Sequence, residues 1–141
     1  MKENGKLAVD TNAVIAYREG IPVVCNLIEK SETIFLPVVV LGELFYGAIN
    51  SSRPKENEQA VHKFLAQSVL IVIDEAIAGR YAAIRLKLKK AGHPIPENDL
   101  WVAAACLEFD IPLLSRDTHF DCIHDFKVIN WTKTKEHLGT K

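Results

Sequence analysis

The chain has 141 residues, 48% of them hydrophobic and 25% charged, with a formal net charge of −1. This composition suits one folded domain with enough chain to bury a core, and it excludes disorder. The near-neutral balance lends no support of its own to nucleic-acid binding.

In chain order, the first element is the apolar run Leu7-Ala8-Val9, which stops on Asp10 and reads as a strand buried on both faces. A short helix is expected from Asn12 to Arg18, and a second from about Val23 to Lys30 after the break at Gly20 and Pro22. Thr33 to Leu36 is a second strand, ended by Pro37, and Val38 to Ile49 is a helix with the apolar stripe Leu41, Leu44, Phe45 and Ala48. Pro54 opens a polar helix running to about Gln67, and Val69 to Ile73 is a third strand. Asp74 and Gly92 are placed to cap a long helix between them, with Ile77, Tyr81, Ile84 and Leu88 on its apolar side. After Glu97-Asn98-Asp99 come an apolar helix from Leu100 to Leu107, a strand from Ile111 to Leu114, a helical turn from His119 to Ile123 and a strand from Lys127 to Ile129. The regular alternation predicts a three-layer α/β/α sandwich around a parallel sheet, over residues 1–131 and ending on Trp131, which is suited to packing, followed by a polar tail over 132–141.

The longest apolar runs, Pro37 to Leu41 and Leu100 to Leu107, are too short to cross a bilayer, and Met1 to Gly5 lacks the apolar core of a signal peptide. A cytoplasmic location is therefore expected. Cys25, Cys106 and Cys122 are widely spaced and form no CxxC pair, so neither a disulfide framework nor a thiolate zinc site is indicated. Charges are unevenly placed. Arg80, Arg85, Lys87, Lys89 and Lys90 form a basic run free of acids, whose simplest reading is a solvated helix face and whose alternative is a phosphate-binding flank.

Asp10 alone is a helix cap before it is anything else. Other acids change that balance, because Asp117 follows the fourth strand and Asp99 opens the apolar helix, and strand ends and helix starts share one edge of a parallel sheet. Glu43 sits among Leu41, Leu44 and Phe45, about 8 to 9 Å along its helix, near enough to overhang the same edge. A carboxylate on an apolar face must be paired, protonated or bound to a metal. No lysine or arginine is equally well placed, so four carboxylates call for a divalent cation, and all-oxygen ligands favour Mg2+ or Mn2+ over zinc. Thr11 and Asn12 can take over the capping of the helix and leave Asp10 to the metal.

Competing chemistries find little footing. Thr11-Asn12-Ala13 contains no glycine, which disfavours a phosphate-cradling loop after the first strand. His62, His93, His119, His124 and His137 form no ligand pair at helical spacing and read as surface residues.

Four segments together resemble the acidic motifs of PIN-domain ribonucleases, and more narrowly the VapC-type toxins of toxin–antitoxin pairs. They are Val9 to Asn12, Val40 to Gly47 around Glu43, Asn98 to Ala105, and Leu114 to Asp121, in order and spread over nearly the whole chain. The resemblance implies a metal-dependent endoribonuclease on a PIN-like sandwich, dimeric, and held inactive by a small antitoxin that blocks the acidic pocket. Carried over by position, Asp10, Glu43, Asp99 and Asp117 form the acidic quartet, with Asn12 and Ser115 as polar supports. Asp121 lies close enough in sequence to compete with Asp117. Asp10 and Asp99 are expected to bind the metal directly, with Glu43 and Asp117 completing the site. Arg116, Arg85, Lys89 and Lys90 are candidates for RNA phosphate contacts, and a salt bridge to a neighbouring acid is the alternative for Arg116. Phe45 and Tyr46 offer apolar surface for a dimer. The rival function is a catalytically silent PIN-like module that binds RNA or protein.

Overall fold

Leu7, Ala8 and Val9 are almost completely buried because their strand lies in the middle of the sheet, with a parallel neighbour on each side. The computed structural model describes residues 4–133. Along the chain run β1 (Asn4–Val9), α1 (Thr11–Arg18), α2 (Pro22–Glu29), β2 (Ser31–Pro37), α3 (Val38–Ile49), α4 (Pro54–Ala66), β3 (Val69–Ile71), α5 (Glu75–Ala91), α6 (Glu97–Glu108), β4 (Leu113–Leu114), a 3-10 turn (Thr118–Cys122) and β5 (Val128–Ile129). The five strands form one all-parallel sheet in the order β3-β2-β1-β4-β5. This is the three-layer α/β/α sandwich that the alternation predicts.

Strand order reverses direction at β1, since the chain first builds β2 and β3 on one side and then crosses to β4 and β5 on the other. Such a switch point leaves a crevice at the carboxyl ends of the two strands that flank it, here β1 and β4. Register fixes the crevice: Ala8 pairs with Leu113 and Val9 with Leu114, and the Asp10 N–H donates to the Leu114 carbonyl at 3.1 Å. The next residue on each strand, Asp10 and Ser115, is thereby set at one edge of the sheet.

Most element ends fall within a residue or two of expectation, and the departures have local causes. β3 stops at Ile71 because β2, its only neighbour, ends where Pro37 pairs with Ile71. Val72 and Ile73 are left out of the ladder and exposed. β4 is reduced to two residues since Pro112 has no N–H to donate, although its carbonyl still accepts from the Ala8 N–H at 2.9 Å. Asp74 caps α5 by accepting from the Ile77 N–H at 2.9 Å, and Gly92 ends it at φ 77°, a left-handed conformation that glycine adopts without steric cost. Trp131 packs into the core on a helical turn over 131–133, whereas the rest of the expected tail, residues 134–141, lies outside the described residues.

Candidate metal centre

Each acid reaches the crevice by a different route. Asp10 follows the buried β1 and occupies the N-cap of α1, where its Oδ1 accepts the Thr11 N–H at 2.9 Å. Its other oxygen, Oδ2, accepts from the Ser115 hydroxyl at 2.7 Å. Capping and clustering thus use different oxygens of one carboxylate, and the expectation that Thr11 and Asn12 relieve Asp10 of the cap is not met. Glu43 stands on α3, its Oε1 accepting from the Thr11 hydroxyl at 2.6 Å and its Oε2 from the Asn98 amide at 3.2 Å. Asp99 lies in the first turn of α6, where the helix dipole favours negative charge. Asp117 caps the 3-10 turn, accepting the His119 N–H on Oδ1 at 2.9 Å.

Ser115 is fully buried and fully used. Its hydroxyl donates to Asp10 and accepts from the Asp117 N–H at 3.0 Å and from the Asn12 amide at 3.3 Å. Asn12 in turn accepts the Arg116 N–H at 3.2 Å, so the loop after β4 is tied to the start of α1. These contacts are what an outer ring of orienting groups requires around charged ligands.

The crevice carries uncompensated negative charge. Burial pushes Asp10 up from 3.8 to about 6, with Asp99 and Glu43 adding to the rise and the Ser115 and Thr11 hydrogen bonds opposing it. Asp99 is also raised, first by burial and then by Asp117 and Glu43, against the opposing pull of His119. Among the described residues no lysine or arginine pairs with Asp10, Glu43, Asp99 or Asp117. Four carboxylates with no lysine or arginine between them are a donor set that fits a divalent cation of the hard, oxygen-seeking kind. Within this cluster, donor atoms of Asp99, Asp117 and His119 all lie within 4.8 Å of one another. Cys106 backs onto Asp10 from the core; full burial pushes its thiol well above the ordinary range, which makes it inert.

Not every residue singled out from the sequence arrives here. Asp121 is exposed and turned toward Lys133, 3.8 Å from its Nζ, on the groove lined by Arg80 and Lys87, so it does not compete with Asp117 for the crevice. The Arg85 guanidinium is 3.5 Å from Glu97 and donates to the Tyr81 hydroxyl, while Lys89 and Lys90 are exposed on the last turn of α5. Arg116 is exposed beside the crevice, and no salt bridge engages it among the described residues. Conversely, Thr11, Asn98 and His119 take part and were given no site role from sequence. Thr11 and Asn98 each adjoin an acid in a strand-end or helix-start motif, a usable signal; His119 gave none, because its partnership depends on the turn that folds it back.

Glu43→Gln removes one charge, and both contacts stay available if its amide oxygen accepts from Asn98 and its NH2 donates to the Thr11 hydroxyl, which can also accept. The metal-free variant is expected to melt a few degrees higher than the parent in a chelator-containing buffer, and a lower melting temperature would contradict a repulsive cluster.

The PIN domain profile matches residues 7–124, which takes in all four acids. The chain belongs to the PIN-domain family. This PIN domain is similar to Ribonuclease VapC4 of Mycobacterium tuberculosis, at 34% identity over 94 residues, covering 65% of this chain and 72% of that one. It is similar also to Ribonuclease VapC2 of Haemophilus influenzae, at 26% identity over 129 residues, covering 89% and 98% of the two chains. Among solved structures, VapBC-1 from nontypeable Haemophilus influenzae superimposes with a TM-score of 0.82 at 25% identity, over 91% of this chain and 99% of that one. No helix among the described residues is long and apolar enough to cross a membrane.

Proposed function

We propose that this PIN domain is an endoribonuclease dependent on Mg2+ or Mn2+, the toxin of a VapBC-type pair. The observation that carries the reading is the meeting of four carboxylates at the β1–β4 switch point with no lysine or arginine paired to them among the described residues. The VapC relatives named as ribonucleases support the same chemistry. Residues 1–131 make up the nuclease domain in this reading, and the site of action is the cytoplasm.

Asp10 and Asp99 are the proposed direct ligands of the cation, with Glu43 and Asp117 completing the set. A divalent cation held there supplies positive charge to the scissile phosphate and makes a nearby water easier to deprotonate. Ser115 holds Asp10, and Thr11 with Asn98 holds Glu43, so each carboxylate is oriented before any ligand arrives. Hydrolysis then needs no protein nucleophile, since the oxygen that joins phosphorus comes from water. Arg116 is free to meet an RNA phosphate beside the crevice, and Lys89 and Lys90 extend a basic flank farther out. Arg85 is committed to Glu97 and Tyr81, which makes it the weakest of these candidates.

A small antitoxin partner and a homodimer belong to this reading. The solved VapBC-1 structure is of a pair of that type, and Tyr46 on α3 is 66% exposed with Ile49 beside it at 59%. Incubating the purified chain with a mixed RNA pool, in chelator and then with added Mg2+ or Mn2+, tests the activity. Cleavage only with the cation is the expected result. Binding without cleavage under both conditions would instead make the chain a silent module.

A further inference from the structure

His119 is the one side chain whose single nitrogen lies within 3.0 Å of two of the carboxylates among the described residues. Its Nδ1 is 2.8 Å from Asp99 Oδ2 and 3.0 Å from Asp117 Oδ1. We propose that His119 is a nitrogen ligand of the cation that Asp99 and Asp117 hold, so that this site prefers Mn2+ to Mg2+. The inference rests on the cation-binding reading of the acidic edge and changes its donor set from all-oxygen to mixed oxygen and nitrogen.

Three features support it. Adjacent ligands on a six-coordinate ion with bonds of about 2.1 Å stand about 3 Å apart, so the imidazole nitrogen already keeps a ligand's distance from both oxygens. The ring is also held in place by its own backbone. The His119 N–H donates to Asp117 Oδ1 at 2.9 Å, and the next residue, Phe120, is anchored in the core at 1% exposure. Finally, the side chain is half exposed, at 50%, so the nitrogen can exchange its present hydrogen bond for a cation without opening the core.

The donor types decide which ion benefits. An imidazole nitrogen is a good ligand for first-row transition ions, whereas Mg2+ seeks oxygen and retains its waters. Mn2+ accepts the carboxylates and gains from the nitrogen, which an all-carboxylate site would not offer.

The full-length chain, stripped with chelator and reloaded with Mn2+ alone, can be read by pulsed electron paramagnetic resonance. Nitrogen hyperfine coupling to Mn2+ is expected, altered by isotopic labelling of the histidine nitrogens and lost in His119→Gln. Calorimetric titration of that variant should show Mn2+ binding weakened by about tenfold or more, the lower end of what even an outer partner's loss costs. Mg2+ binding should change far less. His119→Asn serves as a second variant if the first does not fold, and the labelling experiment on the parent needs no variant at all. Mn2+ bound without nitrogen coupling, or bound equally by parent and variant, would overturn the ligand assignment and leave the nuclease reading standing. Failure of the parent to bind either cation would remove the nuclease reading itself.

Discussion

Asp99→Asn lowers RNA cleavage in saturating Mg2+ or Mn2+ by roughly a thousandfold or more, about 4 kcal/mol of lost transition-state stabilisation, while leaving the melting curve cooperative. The substitution is close to isosteric at a position where structure asks little of the charge. The Asp99 side chain is 15% exposed, and the helix that carries it is anchored by Leu100, Val102, Ala103, Ala104, Ala105 and Cys106, all buried. Its one side-chain partner, His119 Nδ1, can still donate to an amide oxygen. The charge, by contrast, is what a cation requires. Asp10→Asn is the less clean experiment, because Ser115 already accepts two hydrogen bonds and donates its single proton to Asp10. An amide NH2 turned toward that hydroxyl would bring a third donor and leave the hydroxyl proton without an acceptor. Lost activity in Asp10→Asn would therefore mix ligand loss with rearrangement of the loop after β4. Single-turnover cleavage of one RNA by parent and Asp99→Asn, beside thermal melts of both, separates these effects. Cleavage by Asp99→Asn at the parental rate would refute its role as a ligand.

The edge of the sheet was legible because period and punctuation both point to it. An apolar run ending on Asp10, a helix opened by Pro37 and Val38, and an acidic first turn before Leu100 each declare which end of an element an acid occupies. In a parallel sheet those ends coincide, so adjacency followed from topology without any knowledge of side chains. What stayed hidden depends on the paths of loops. Asp117 and Asp121 are four residues apart on one short turn, and spacing alone cannot say that the first caps it toward His119 while the second faces Lys133. His119 escaped for the same reason, since a helical-spacing test for ligand pairs does not apply to a residue whose partners come from α6 and from two positions back in its own turn. The shortness of β3 was equally invisible. Val69 to Ile73 is strongly β-prone, yet an edge strand extends only as far as its neighbour, and β2 stops at Pro37.

Lowering the pH from about 8 to about 5 stabilises the cation-free protein, raising its melting temperature by roughly 5 °C. Asp10 carries most of the effect. Its value in the folded protein is about 6 against an ordinary 3.8, so folding favours its protonated form. The associated stability, about 3 kcal/mol in full, is complete only below the unfolded value and is lost as the pH rises through the folded one, so about half of it separates pH 5 from pH 8. Asp99, raised by burial, acts in the same sense. His119 does too: it is raised from 6.5, chiefly by Asp99, and its share is present at low pH and fades as the pH climbs through its folded value. The three contributions therefore add rather than cancel, until general acid unfolding takes over below about pH 4.5. A cation that binds only the folded state works against this slope. At a hundred times its dissociation constant it contributes about 2.7 kcal/mol, and it binds best where the carboxylates are ionised, so it restores stability most at the alkaline end. Melts in chelator should slope downward from about pH 5 to 8, and melts in excess Mn2+ should be flatter over the same range. A chelated protein that grows more stable as the pH rises across that window would mean that the crevice holds its charge without strain, and the case for a cation there would lose its electrostatic basis.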